Sequence, residues 1–353
     1  REESGDQGAR RRRLGIAEEL KDAVTAAKAD EDGSVTYEWS AADMPSVKRE
    51  DDLPPWWSFN AYVLASAGSW PSYAATLSNA LCAAAAGQTK AAAKAKELTA
   101  GLDTAAARAK AIRDFVARSI RSAGPSFTAL PLSSITPADK TLADGYGYTA
   151  DRAVLLYSML DAAGMNPAFV LASWLPKVAP ASAPLIGTAQ RWPFDAMLVR
   201  VRVGGDDVYL NDTHQYAELG TTSHDQQPAL DIAAGAIITV AAAPGREDRS
   251  EQDINITVAE NGDAVIKKTI RKYGTEFAEF HQHFAELSPE ERRRYYQETV
   301  SGVAQAAKPV GDLVTKYDVY PGVEEFTVSV GIFAVRDGDY LYFAVPVNLA
   351  NLL

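Results

Sequence analysis

The clearest apolar pattern in the chain lies between Gly145 and Ser173. After a glycine-rich turn, the apolar positions of 154–160 cover most sides of a 3.6-residue helix, which predicts a buried helix rather than one lying on a surface. Asp151 falls in its first turn, where a carboxylate suits the positive end of the helix dipole, and Gly164 has the position of a left-handed C-cap. A buried strand is predicted over 168–173.

Helical spacing also occurs ahead of this stretch. Ile16, Leu20, Val24 and Ala27 predict a helix that ends before a turn at 32–33, and a strand is predicted after that turn.

An alanine-rich region follows, and it is predicted to be helical from 70 to 121. Asp103 or Thr104 can cap one helix of this region. Residues 125–144 are predicted to form a long loop of the kind that lines a cleft.

Beyond the central strand the pattern changes to short strands and turns. A Pro-, Ala- and Ser-rich loop is predicted over 174–193, and a domain linker over 244–250. Two helices are predicted near the C-terminus, the second beginning at Ser288-Pro289. Strands are predicted at 197–203, 208–211, 236–242, 254–258, 264–270, 313–320, 325–335 and 340–345.

The composition limits the class of protein to which this chain can belong, and it does not change the predicted helices and strands. Of the 353 residues, 47% are hydrophobic and 23% are charged, as in ordinary globular proteins. No apolar run reaches the roughly 18 residues of a membrane span. The net charge of -11 argues against a nucleic-acid partner, and the basic run Arg10–Arg13 is predicted to be solvated. Because the sequence starts at Arg1 without Met, we expect a processed product or a fragment, with any signal peptide upstream.

The central stretch resembles the core of bacterial transglutaminase-like proteins, which have a papain-like fold. Their motif runs Gly-Asp-Cys-x-Asp-x-Ala before a leucine-rich helix, and here residues 147–153 read Gly-Tyr-Thr-Ala-Asp-Arg-Ala. The resemblance implies that Thr149 occupies the position of the nucleophilic cysteine. Asp151 is interpreted as a structural carboxylate at the start of the helix.

The resemblance also implies where the other two catalytic groups would stand. In this family a histidine opens a strand, and a carboxylate follows about fifteen residues later. The segment Phe194–Leu198 places Ala196 at the histidine position, and Tyr209–Thr213 places Asn211 at the acid position. All three positions are therefore changed. With the histidine absent, no base remains to activate Thr149, whose hydroxyl is a far poorer nucleophile than a thiolate.

Other residues could in principle supply reactive groups. A rebuilt site of Thr149 with His214 and Asp212 is the alternative we retain. The single cysteine, Cys82, excludes an internal disulfide and is expected to be a small buried hydrophobe. His224 is expected to be solvated in a polar loop. His281 and His283 are two apart on a predicted helix, so no metal site is expected, and no cofactor is implied.

Four aromatic residues fall on the loops that should border the cleft. Each has packing as its simpler explanation, but together they predict a retained groove for an extended peptide or a glycan. Three other tryptophans, at 56, 57 and 70, are expected to serve in the core or between domains. The predicted groove residues are Tyr146, Tyr148, Trp174 and Trp192.

We therefore predict an α+β protein in three parts. Residues 1–69 would hold a disordered start and the tail of a β-sandwich, 70–245 a transglutaminase-like core, and 246–353 a β-rich domain with two helices. The resemblance implies an inactive module, or pseudoenzyme, that binds or scaffolds within an exported bacterial protein, in the periplasm or at the cell surface. The alternatives are a hydrolase with a rebuilt site and a structural subunit of an assembly. The protein or glycan partner is not identified by the sequence.

Overall fold

The computed structural model describes residues 68–345 without a break, and ahead of them 15–18, 24–29, 35–40, 48, 50–51, 53–60 and 62–66. Helices and mostly antiparallel sheets are mixed along the chain, so the α+β class predicted from the sequence is confirmed.

The N-terminal segments form two pairs of strands. The second and third strands pair antiparallel across residues 24–40, and the first pairs with the fourth. The predicted helix from Ile16 to Ala27 is therefore wrong. The helical spacing did not account for pairing with another strand: Val24 and Thr25 are β-branched and pair with residues 39–40, which supplies hydrogen bonds that periodicity cannot reveal. The disorder expected near the start concerns residues before 15, which lie outside the described residues. These strands are β1 (Gly15–Glu18), β2 (Val24–Ala29), β3 (Val35–Ser40) and β4 (Val63–Ser66).

A group of helices then surrounds one central helix. Ser69 and Ser72 form a capping box at the first helix, and Thr104 caps the third. The fifth helix is buried almost all round, as its apolar pattern predicts, and Gly164 follows it with a positive φ. The helices are α1 (Trp70–Ala85), α2 (Thr89–Thr99), α3 (Ala105–Ser119), α4 (Ala138–Asp144) and α5 (Thr149–Ala162).

Two segments predicted to be loops contain short helices. One is α4, and the other is α6 (Ala179–Ile186), which has proline inside it. Neither is long enough to display a helical period, so the apolar pattern did not reveal them. The short strands β5 (Arg121–Ser122), which follows α3, and β6 (Tyr146–Gly147), which follows α4, pair in parallel.

The central sheet has the order β11-β10-β7-β8-β9, with antiparallel neighbours throughout. One face packs on α5 in the main core, and the opposite face carries a smaller cluster that includes Val170, Leu198, Tyr209 and Val240. The strands are β7 (Ala168–Ser173), β8 (Phe194–Val203), β9 (Asp206–Leu210), β10 (Pro228–Asp231), which the sequence did not predict, and β11 (Ala236–Thr239).

Residues 250–345, here called the C-terminal unit, form a second sheet with two helices. Its order is β12-β13-β16-β14, and β15 also pairs with β16. Ser288 and Glu291 form the capping box that the sequence predicts for the second helix. The elements are β12 (Ser250–Val258), β13 (Ala264–Lys272), α7 (Gly274–Glu286), α8 (Pro289–Val303), β14 (Ala307–Pro309), β15 (Val314–Lys316), β16 (Gly322–Val330), β17 (Val335–Asp337) and β18 (Tyr340–Tyr342).

Candidate functional site

The N-terminus of α5 is held by a buried carboxylate. Asp151 accepts hydrogen bonds from the main-chain N–H groups of Thr136, at 2.7 Å, and Tyr148, at 3.3 Å. Burial raises the pKa of Asp151, while these two N–H donors act to lower it. Gly147 is required here because a Cβ at this position would lie 2.7 Å from the Cβ of Asp151. Asp151 thus anchors the loop that delivers Thr149 to the start of the helix.

Thr149, Met197 and Asn211 are joined by three hydrogen bonds, and we call them the knot. The N–H of Met197 donates to Thr149 Oγ1 at 2.9 Å. Asn211 Nδ2 donates to the carbonyl oxygens of Thr149, at 2.9 Å, and Met197, at 2.7 Å. Because both partners are acceptors, the orientation of the Asn211 amide is fixed. The structure therefore brings together the α5 start, β8 and the residue that follows β9.

Asn211 also carries unusual backbone and side-chain features. Its φ is 90°, in the left-handed region that a non-glycine residue rarely occupies. Its Oδ1 is buried and has no hydrogen-bond partner. The two hydrogen bonds donated by Asn211 Nδ2 offset the cost of this backbone conformation. We therefore expect Asn211 to be specifically required at this position.

Ala196 is next to the knot in the chain, but its side chain faces elsewhere. It packs against the smaller cluster on the sheet face opposite α5, whereas Met197 belongs to the main core. The pairing of β7 with β8 explains the arrangement: Ala172 pairs with Ala196 and Ser173 with Phe194, which leaves Asp195 as an extra, bulged residue. A side chain at position 196 is therefore directed to the sheet face opposite the one that packs on α5.

His214 and Asp212 are engaged with partners other than Thr149. His214 Nδ1 accepts from the N–H of Tyr216 at 3.2 Å, and the two rings lie 5.7 Å apart. Asp212 Oδ2 accepts from Thr222 Oγ1 at 2.5 Å and from the N–H of Ser223 at 2.9 Å. These hydrogen bonds of His214 and Asp212 are thus with residues of the loop after β9 and not with the Thr149 hydroxyl.

Asp195 is a half-buried carboxyl that the sequence did not single out. Burial raises the pKa of Asp195, a positive charge on His224 opposes that rise, and Asp195 Oδ1 has no hydrogen-bond partner. His224 is partly buried, and its Nδ1 lies 2.8 Å from Gln227 Oε1, so the expectation that it is merely solvated is wrong.

Cys82 differs from its prediction as well. It is exposed on α1, 3.8 Å from Ser78 Oγ, rather than buried. The buried side of α1 consists of Ala74, Leu77, Leu81 and Ala84, and Cys82 falls just outside that stripe. Its small apolar side chain suggested burial, but the helical phase places it towards solvent.

Two of the four predicted groove aromatics lie together. Trp174 and Trp192 are 40% and 37% exposed, with ring centroids 5.0 Å apart. Both contact Trp57, which is 4% exposed, and Trp56 contacts Trp57 in turn. We call Trp56, Trp57, Trp174 and Trp192 the tryptophan cluster. It lies at the ends of β7 and β8, only a few residues from the knot.

The remaining aromatics are placed differently. Tyr148 is buried, and its Cβ lies against Gly124. Tyr146 is 53% exposed, but it lies on β6, where it pairs with Arg121, and it is not part of the tryptophan cluster. Trp70 is partly buried and donates to the carbonyl of Ile186, which fits the expected packing role.

Three of the four indole N–H groups of the cluster donate within the protein. Trp57 Nε1 donates to the carbonyl of Ala181 at 2.7 Å, Trp174 Nε1 to that of Trp192 at 3.3 Å, and Trp192 Nε1 to Gln190 Oε1. With their N–H groups engaged, the exposed rings of Trp174 and Trp192 offer carbon surface, which favours contact with apolar or ring-shaped groups of a ligand.

Among the residues that the structure describes, no group of three or more His, Cys, Asp or Glu side chains is arranged to hold a metal ion. Within the same ranges, none of the helices combines the length and the apolar character needed to cross a bilayer.

Comparisons with known proteins give one structural likeness to report. No protein-family model matches the sequence, and no curated protein matches it. The crystal structure of a "putative protease" from Parabacteroides distasonis matches with a TM-score of 0.52 at 14% identity. The match covers 91% of this chain but 64% of that protein. At this identity the likeness concerns the fold alone, and it is compatible with a papain-like core.

Proposed function

We propose that this chain is a transglutaminase-like module that has lost cysteine-type catalysis and acts by binding. The knot supports the proposal. Thr149 stands where a nucleophile would start the helix, yet its Oγ1 accepts a hydrogen bond from the main chain of Met197. A hydroxyl becomes nucleophilic at neutral pH only when a base takes its proton, and a main-chain N–H is a donor rather than a base.

The histidines strengthen this argument. The chain has four, at 214, 224, 281 and 283. His214 accepts from the N–H of Tyr216, His224 contacts Gln227, and His281 contacts the carbonyl of Tyr216. His283 packs against Phe284 and Tyr295. Each imidazole thus has partners other than Thr149, which leaves its hydroxyl without a general base.

The tryptophan cluster supplies the binding side of the proposal. Trp174 and Trp192 expose adjacent faces near the knot, and exposed aromatic surface of this kind is enriched at recognition sites. We propose that an extended peptide or a glycan binds to these faces. The family resemblance adds that the protein is exported, to the periplasm or the cell surface.

Turnover measurements test the loss of catalysis. Ester and anilide amide substrates are incubated with the wild type, Thr149→Val and Thr149→Ser. We expect all three to match the rate without protein, because none has an activated nucleophile. Turnover by the wild type that survives in the serine variant and disappears in the valine variant would refute the proposal.

Binding measurements test the ligand surface. Tryptophan fluorescence is recorded during titration with peptides and with oligosaccharides. A ligand of the cluster should bind Trp192→Ala roughly tenfold more weakly or worse, the range of an aromatic hot spot. Tyr146→Ala is the matched control, an exposed aromatic outside the cluster, and its affinity should equal that of the wild type.

A hydrolase with a rebuilt site is the second candidate. It is favoured by the likeness to a protein described as a "putative protease". Its rebuilt site would use Thr149 with His214 and Asp212, although the last two side chains also have partners along their own loop. Turnover that Thr149→Val and His214→Gln both abolish would establish this candidate. A structural-subunit role would instead appear as self-association in light scattering.

A further inference from the structure

Residues 211–217 run from the knot to the C-terminal unit. At one end, Asn211 holds Thr149 and Met197. At the other, the carbonyl of Tyr216 accepts from His281 Nδ1, on α7, at 2.9 Å, and the Tyr216 and His281 rings lie 5.1 Å apart. The candidate site and the docking of α7 therefore share one short segment.

Arg113 fixes the middle of this segment to α3. Its Nη1 donates to Thr213 Oγ1 at 3.3 Å, and its Nη2 donates to the carbonyl of Ala217 at 2.9 Å. Arg113 is almost fully buried and remains charged, and its Nε also pairs with Asp114 Oδ1 at 2.6 Å. The Asp114 carboxylate offsets part of this charge, and what remains opposes a second positive charge nearby.

His214 lies between these two attachments, and its protonation state is constrained by geometry. The N–H of Tyr216 donates to His214 Nδ1 at 3.2 Å, so Nδ1 must carry a lone pair and the neutral ring must hold its proton on Nε2. A second proton can only add at Nδ1. This second proton would remove the acceptor, and the N–H at Nδ1 would then face the N–H of Tyr216, which is repulsive.

The charges that face His214 come from two helices as well as its own segment. Arg113 on α3 and His281 on α7 oppose a proton on His214, while Glu286 and Glu279 on α7 favour one. Burial is the largest influence, and together these groups lower the pKa of His214 below its ordinary value. The ring is therefore neutral in the folded protein at pH 7.

We propose that His214 is a pH-sensitive latch: a proton on its Nδ1 breaks the bond from Tyr216 and loosens the docking of α7 on residues 211–217. The carbonyl of the same Tyr216 holds His281, so displacement of Tyr216 weakens both attachments. Because Asn211 belongs to the segment, the latch also controls how firmly the knot is held. The native state resists protonation that the unfolded chain accepts, so the docking is firm above pH 6.5 and weakens as the pH falls below it.

Hydrogen–deuterium exchange followed by mass spectrometry tests the latch. Protection factors, corrected for the intrinsic rate at each pH, are measured for peptides covering 211–217 and 274–286 at pH 7.5 and 5.5. In the wild type we expect both to lose protection measurably at the lower pH, because the native state resists a proton on His214 that the opened chain accepts. In His214→Asn, whose amide oxygen accepts in place of Nδ1 but does not titrate, the loss should vanish.

His283→Asn is the matched control, because His283 lies on the same helix but packs against Phe284 and Tyr295. It should behave as the wild type does. Equal losses in the wild type and His214→Asn, or no loss in the wild type, would overturn the proposal. Should His214→Asn fail to fold, Glu286→Gln decides: removing this exposed carboxylate should enlarge the loss, and an unchanged loss refutes the latch. No ligand or turnover is measured, so failure here leaves the proposed function untouched.

Discussion

The knot and the tryptophan cluster lie at the same edge of the central sheet but differ in what they offer a ligand. In the knot, the Thr149 hydroxyl and the Asn211 amide are used in hydrogen bonds within the protein. In the cluster, Trp174 and Trp192 keep much of their carbon surface exposed. The donors of the knot are thus bonded within the protein, whereas the cluster leaves apolar surface exposed. This difference is the basis on which we propose a binding role.

The largest expected effect concerns α5, the buried helix that begins at Thr149. Leu155 is fully buried in α5, so Leu155→Ala should lower the free energy of unfolding by about 2–5 kcal/mol through lost contacts and a cavity. Urea denaturation measures it. Leu341→Ala, at an exposed leucine of β18, is the control and should change stability by less than about 0.5 kcal/mol. Similar losses in both would mean that α5 is not the core of the fold.

The next effect isolates the amide of the knot. Asn211→Ala removes both donated bonds and should lower the free energy of unfolding by about 1–3 kcal/mol. Asn211→Gly removes the same bonds but accepts the positive φ, so it should be less destabilising. Denaturation of the pair separates bonding from backbone strain. A glycine variant as unstable as the alanine variant would contradict the strain at this position.

A smaller effect is expected at the hydroxyl. Thr149→Val preserves shape but leaves the Met197 N–H without its acceptor, which should cost about 1–2 kcal/mol. Thr149→Ser retains the acceptor and should lie closer to the wild type in the same denaturation experiment. If valine is tolerated as well as serine, the bond from Met197 has no structural value, and the knot is weaker than proposed.

The last prediction depends on pH and concerns Asp195. Its pKa is raised in the folded state, so the native protein binds a proton there more readily than the unfolded chain does. Its contribution is therefore favourable at low pH and is lost as the pH rises through the folded pKa. Asp195→Asn should stabilise the protein at pH 7 and have little effect at pH 3. Denaturation at both values checks this, and destabilisation at pH 7 would contradict it.

The sequence predicted those features that depend on local pattern. The buried helix, the strands at 168–173 and 197–203, and the cap at Ser288 all follow from periodicity and capping chemistry over a few residues. The contact between Thr149 and Asn211 also agrees with their predicted proximity. The role assigned to these positions remains a prediction.

Features that depend on contacts with other parts of the chain could not be predicted from the sequence. Residues predicted to be helical lie in β2 because their pairing with β3 outweighs the helical spacing of the apolar residues. The side chain of Ala196 faces away from Thr149 because one bulged residue shifts the alternation of β8. Trp57 joins Trp174 and Trp192 across more than a hundred residues, and no pattern in one sequence reports such a contact.

The bulge at Asp195 has a consequence for any attempt to build a thiol site on this scaffold. An imidazole introduced at position 196 would lie on the sheet face opposite α5, because Ala196 packs on that face. A design that needs the imidazole on the α5 face would have to use a position of β8 whose side chain points there, as that of Met197 does. Backbone register, as well as residue identity, therefore limits such a design.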